Sequence, residues 1–158
     1  MKIQVVWAGK TRNPDWRKLQ DEYAGRIRRY TSLSIDEVRE AGRPDQAGNQ
    51  PAILAVEGER LASAIAAGAV VVVLDEQGQA WTTGVFQEWM EGLQNRGVKQ
   101  VSFLVGGFLG MAPELKSRAD VRLALSPLTL PHEMARVVLL EQIYRVLSML
   151  RGHPYHKA

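Results

Sequence analysis

Hydrophobic positions along the chain follow two periods. Short β-branched or apolar runs at 2–8 (KIQVVWA), 70–74 (VVVVL), 101–105 (VSFLV) and 121–125 (VRLAL) each predict a buried strand. A fifth run, 32–38 (SLSIDEV), alternates Leu33 and Ile35 with polar neighbours and predicts a half-buried strand. Between them the period lengthens. Asn13-Pro14 opens a helix that runs to about residue 30, with Leu19, Tyr23 and Ile27 as its apolar stripe. Residues 52–67 predict a helix ending at Gly68, and 83–96 predict another with Val85, Phe86, Trp89 and Leu93 inward. A short helix is expected at 111–118. The loop at 40–51 is rich in Gly, Pro, Asn and Asp and carries Arg43.

This strand–helix–strand rhythm predicts an α/β fold, a parallel sheet with helices on both faces. In such sheets ligands bind beyond the carboxyl ends of the strands. Three strand ends here carry distinctive loops. Leu74 leads into Asp75-Glu76-Gln77-Gly78, Val105 leads into Gly106-Gly107-Phe108-Leu109-Gly110, and Leu125 leads into Ser126-Pro127-Leu128-Thr129-Leu130-Pro131. The glycines let backbone approach a ligand closely. The apolar SPLTLP loop must be buried, so its backbone groups need partners, from a planar ligand such as adenine or from the protein itself. The dinucleotide fingerprint is missing, because GGFLG lacks its spacing and follows the wrong strand. A P-loop also fails, since Gln4 stands where its first glycine belongs ahead of Gly9-Lys10-Thr11.

The last apolar segment differs from the rest. From Pro131 a helix carries Val137, Val138, Leu139, Leu140, Ile143, Tyr144, Val146, Leu147, Met149 and Leu150 in nearly every direction. A helix apolar all round is buried on all sides, and a second copy of the chain is expected to close one flank. Glu141 lies four residues before Arg145 and can pair with it. Arg136 and Arg145 fall on opposite faces, while His132 and Arg136 share the first-turn face. Gly152 and Pro154 stop the helix, and the tail carries His153, Tyr155 and His156.

Composition narrows the classes. The chain has 158 residues, enough for a single domain over 1–158. It is 46% hydrophobic and 23% charged, as in ordinary globular proteins. Its net charge of +3 and pI of 9.4 fit a protein that touches phosphate. Basic residues gather on the first helix, at Arg17, Lys18, Arg26, Arg28 and Arg29, where they either face solvent or contact phosphate. With no cysteine, disulfides, thiolate metal sites and cysteine nucleophiles are excluded. The His153/His156 pair has no acidic companion nearby, so no metal is expected. The longest apolar run, 69–74, is far below the roughly 20 residues of a membrane span. The N-terminal segment does not read as a secretory signal, and a cytoplasmic protein is expected.

The segments VVWAGKT…DW, GGFLG, LSPLTLPH, EQIYR and HPYHK, in this order and spacing, resemble the ribosomal large subunit methyltransferase H family, of the SPOUT class, along the whole chain. The resemblance implies an α/β fold with a C-terminal trefoil knot, a homodimer, and S-adenosylmethionine as methyl donor. It implies methylation at N3 of a pseudouridine in 23S rRNA, on the assembled ribosome. By motif, the cofactor pocket would be Leu74, Gly106, Leu125, Ser126, Pro127, Leu128, Thr129 and Leu130. His153 and Tyr155 are the candidates nearest the substrate, Arg145 the candidate for stabilising a developing imide anion or holding phosphate, and His132 a capping or packing residue. Phe108-Leu109 departs from the family, where small or polar residues are frequent. Other classes remain in view: a SPOUT enzyme acting on tRNA, a non-catalytic RNA-binding dimer, and a purely structural dimer.

Overall fold

The computed structural model describes residues 1–42 and 47–155. Arg43 and His156 lie outside the described residues. Five parallel strands form one sheet: β1 (Lys2–Ala8), β2 (Leu33–Val38), β3 (Val70–Ala80), β4 (Gln100–Val105) and β5 (Val121–Ala124), in the order β2-β1-β4-β3-β5. The helices are α1 (Pro14–Ile27), α2 (Gln50–Ala64), α3 (Thr83–Asn95), α4 (Pro113–Arg118) and α5 (His132–Leu150). A 3-10 turn, Ala47–Asn49, precedes α2.

Both faces of the sheet are covered, as the unbroken apolar strands require. One face packs Ile3, Val5, Trp7, Val72, Val101, Phe103 and Leu123 against α1, α3 and α5. The other packs Val6, Val73 and Leu104 against Leu61 of α2, and Met111 and Leu115 at α4. The side chain of Asn13 caps α1 by accepting from the backbone N–H groups of Asp15 and Trp16, and Thr82 caps α3 in the same way through Val85.

Several elements differ from the sequence expectation. Helix α1 stops at Ile27 rather than near residue 30. Helix α2 is displaced toward the N-terminus by two to three residues, and its C-cap is Ile65 rather than Gly68, although Gly68 does take positive φ. Val85 lies on the outer face of α3, 43% exposed, while Met90 joins Phe86 and Leu93 inside. The polar stretch after Leu74 is not the end of β3. Both Leu74 and Gln79 pair with Leu123, so residues 75–78 bulge out and the strand resumes to Ala80. Gly78 permits the bulge, since a Cβ there would stand 2.5 Å from the Arg122 carbonyl oxygen.

Helix α5 is flanked by α1 and α3, and none of its residues is fully exposed. Neighbours within the same chain therefore account for much of its all-round apolar surface. Among the described residues, no helix is long and apolar enough to cross a membrane.

Candidate functional site

The strand order sets β4, β3 and β5 side by side. The loops after β4 and β5, with residues 74–76 at the bulge within β3, line a cavity of about 650 Å³, within the size range of small-molecule sites. Seven of the eight residues assigned by motif line it: Leu74, Gly106, Leu125, Ser126, Leu128, Thr129 and Leu130. Pro127 is not among the lining residues. Phe108 and Leu109 do line it, so the residues that depart from the family pattern form part of the wall.

The glycine loop is shaped by close backbone contact. A Cβ at Gly106 would collide with the Gly110 carbonyl, and one at Gly107 would stand 2.8 Å from Oε1 of Glu57. Gly110 takes a φ of +84°, where side chains other than glycine are strained. Its N–H donates to the Gly107 carbonyl at 3.0 Å. Behind the loop, Glu57 of α2 is 3% exposed and accepts from the Ala41 N–H at 3.4 Å. Burial pushes its carboxyl pKa up, against the opposing pull of the Ala41 and Gly107 N–H groups.

The opposite wall is the SPLTLP loop. The Ser126 hydroxyl accepts from the Leu128 N–H at 2.9 Å, and the Thr129 hydroxyl donates to Glu76 at 2.6 Å. Leu128 is 75% exposed, so it rims an opening rather than a core. Asp75 is held by Arg122 at 2.6 and 2.9 Å and by Lys116 at 3.1 Å. Burial alone would raise its pKa, but these two cations prevail and lower it, so Asp75 stays ionised. Leucine walls, a backbone cradle and a carboxylate at Glu76 suit a ligand with an apolar ring, ribose hydroxyls and positive charge. S-adenosylmethionine is of that kind.

Of the two roles expected of His132, capping or packing, capping is not seen: Pro131 occupies the N-cap without a side-chain bond, and His132 sits half-buried on the cavity wall. Burial, and then the charge of Arg136, lower its pKa, so it is a neutral imidazole at pH 7. Arg136 is itself fully buried. It donates to the Ala8 carbonyl at 2.6 Å and the Thr11 hydroxyl at 3.0 Å, and lies over the Trp7 ring at 4.9 Å. Burial lowers its pKa to about 10. Glu133 accepts from the backbone N–H groups of Arg12 and Asn13. Glu133 and Arg136 together tie the start of α5 to the loop after β1. A charged residue spaced one turn from an apolar stripe was the only sequence sign of this tie.

The three catalytic candidates lie elsewhere. Arg145 bonds Glu141 at 3.0 Å and lies over the Tyr155 ring at 4.8 Å, and the Tyr155 hydroxyl donates to Glu141 at 3.1 Å. Burial and neighbouring groups raise the Tyr155 pKa, so it remains a phenol. His153 meets Tyr30, with 2.5 Å between its Nδ1 and the Tyr30 hydroxyl. None of the three lines the cavity. His132 and His153 lie at opposite ends of α5, whose 19 residues span about 28 Å at 1.5 Å each. Among the described residues, no group of three or more His, Asp or Glu side chains is placed to hold a metal ion.

A five-stranded parallel sheet with a cofactor-sized cavity at the bulge of β3 and the ends of β4 and β5 defines an α/β protein with a small-molecule site. The family model described as predicted SPOUT methyltransferase matches residues 1–156, and the chain belongs to that family. Among curated relatives, the ribosomal RNA large subunit methyltransferase H of Geobacter metallireducens is 42% identical over 156 residues, with 99% of each chain covered. The protein of the same name from Streptococcus gordonii is 38% identical over 160 residues, covering 99% of this chain and all of the other. Solved structures share the fold at low identity. A protein of Bordetella pertussis described as a probable methyltransferase has a TM-score of 0.54 at 12% identity, covering 92% of this chain and 96% of that one. A protein of Legionella pneumophila described as a methyltransferase and solved with the cofactor SAM has a TM-score of 0.52 at 14% identity, covering 95% of this chain and 66% of that one.

Proposed function

We propose that the protein transfers the methyl group of S-adenosylmethionine to N3 of a pseudouridine in 23S rRNA, acting as a homodimer on the assembled large-subunit-containing ribosome. The observation that carries this reading is the cavity at the bulge of β3 and the ends of β4 and β5, in a chain whose whole length aligns with relatives named ribosomal RNA large subunit methyltransferase H. The chain acts as a single domain, in the cytoplasm, where ribosomes are found. From Leu125 on it is read as the threaded part of a trefoil knot, as the family resemblance implies.

The cofactor supplies an electrophilic methyl group on a sulfonium. The protein's own residues position it. Leu74, Leu125 and Leu130 take the apolar ring, the backbone of Gly106 and neighbouring residues lies close to it, and Glu76 accepts from hydroxyl or ammonium donors. The target nitrogen must lose a proton before or during attack. Neutral His132, on the wall of the same cavity, is placed to take it.

Arg145 and Tyr155 both meet Glu141, which lies about 14 Å along α5 from His132, and His153 lies farther off, beside Tyr30. In this reading the three serve the site of the partner. Each active site then takes its cofactor from one chain and part of its RNA contact from the other. Mixed dimers test this. One parent carries Gly106→Ala and the other Tyr155→Ala with His153→Ala, and with cofactor held well below the wild-type Kd each parent alone is expected to be strongly impaired. Mixing should recover about a quarter to a half of wild-type activity, as a shared site requires. No recovery would overturn the shared site. Ribosomes and free tRNA are assayed in parallel, and methylation of tRNA alone would favour the tRNA enzyme instead.

A further inference from the structure

At the far end of the α1–α5 pair is a second cavity of about 370 Å³, lined by Arg26, Arg29, Tyr30, Tyr144, Arg151 and His153. Among the described residues, no carboxylate lines it. Arg26 pairs with Glu22, and its guanidinium lies over the Tyr23 and Tyr144 rings at 5.3 and 5.5 Å. Arg29 and Arg151 are exposed, and neither forms an ion pair among the described residues. The wall between them is aromatic. The Tyr30 ring packs edge-on against Tyr144 at 5.9 Å and against His153 at 5.4 Å. Two unpaired guanidinium groups beside phenol and imidazole rings suit a phosphate attached to a planar base.

We propose that this cleft holds a phosphodiester of the RNA substrate, with Arg29 and Arg151 on its oxygens and Tyr30 and His153 beside the adjoining nucleotide. This rests on the reading of the protein as an RNA methyltransferase. It assigns the RNA contact of the first helix to its C-terminal end, since Arg17 is engaged with the Thr11 carbonyl and Arg28 with that of Leu33. The rival account is structural: both arginines follow the C-terminal ends of helices, where cations complement the helix dipole. That role alone predicts lower stability with unchanged RNA affinity.

The test uses full-length protein, a double Arg29→Ala/Arg151→Ala variant and a double Lys variant. Binding to a large-subunit rRNA fragment is measured against salt, and KM is measured on ribosomes. The double Ala variant is expected to raise KM about tenfold and to flatten the salt dependence of log K by about 0.7, the loss of one single-strand phosphate contact. Affinity for S-adenosylmethionine should stay the same. The Lys variant should keep the slope and lose part of the affinity. Unchanged slope and KM, with or without a fall in Tm, would overturn the proposal. So would a cleft that inorganic phosphate saturates, followed through the His153 NMR signals, while RNA affinity ignores the mutations. Absence of methylation by the wild-type protein would instead count against the enzyme reading, and the salt slope would still decide the fate of the cleft.

Discussion

The Glu57 carboxylate stands where a side chain at Gly107 would have to go, 2.8 Å from the position of that residue's Cβ. It is buried, and it joins the start of the β2–α2 loop at Ala41 to the glycine loop of the cavity. Glu57→Ala should leave two N–H groups without a partner, at about 1–3 kcal/mol each. Cofactor affinity, measured by calorimetry, should fall about tenfold as the loop loses its support. Glu57→Gln keeps one acceptor and should lose less. Native affinity in Glu57→Ala would mean that the loop holds its own shape.

The same carboxylate gives a pH signature. Its folded pKa lies above the ordinary carboxyl value of 4.5. Its contribution to stability is therefore fully present below pH 4.5 and lost as pH rises through the folded pKa. Denaturant titrations from pH 4 to 8 should show that loss in the wild type. Glu57→Gln should remove it, and equal pH slopes in the two proteins would count against a raised pKa.

Gly106 and Gly110 close the loop on itself. Gly106→Ala forces the backbone apart at the Gly110 carbonyl, at a cost of about 1–3 kcal/mol, which should appear as a loss of roughly 5–150-fold in cofactor affinity. Gly92, whose Cβ would meet nothing within 4 Å, is the control. Gly92→Ala lies inside α3 and should stabilise by about 0.5–1 kcal/mol. Calorimetry and thermal melts separate the two outcomes.

These glycines also show how much was legible from sequence. The cavity could be read because its parts are strand ends followed by glycine or by an apolar loop, and both patterns are local. The division of α5 could not. Arg136 and Arg145 look alike in sequence, yet one is buried over Trp7 and the other packs on Tyr155. Pattern places them on opposite faces but does not say which neighbour each face meets. The ring of apolar residues on α5 correctly predicted burial. Its closure by α1 and α3 depends on long-range strand order, which no local period encodes. The bulge at 75–78 was missed because Asp75-Glu76-Gln77-Gly78 has the composition of a turn, and the resumed pairing of Gln79 with Leu123 is non-local.

Arg136 tests the tie between α5 and the β1–α1 loop. Arg136→Lys has one ammonium for two acceptors, Ala8 and Thr11, and loses the planar group over Trp7. A stability loss of about 2–3 kcal/mol is expected for a charge-assisted bond removed from a buried site. Arg136→Met fills similar volume without a charge to desolvate and should cost less than Lys. The reverse order in chemical denaturation would mean that charge, rather than fork geometry, holds the loop.

His132 supplies the last expected outcome. Its folded pKa is below the ordinary imidazole value of 6.5 because burial and Arg136 disfavour the imidazolium. Above pH 6.5 the ring is neutral in both folded and unfolded chains, so it imposes no penalty. As pH falls below 6.5 the unfolded chain takes up a proton that the folded chain refuses, and stability declines until the folded pKa is passed. If this ring takes the proton from the target nitrogen, methylation should fall over the lowered pKa rather than near 6.5. His132→Asn should lower kcat by about 10²–10⁴-fold, the range of general-base catalysis, and should flatten the acid limb of both the rate and the stability profile. Loss of the limb in stability alone, with kcat unchanged, would leave His132 as part of the cavity wall and return the search for the base to the tail of the partner chain.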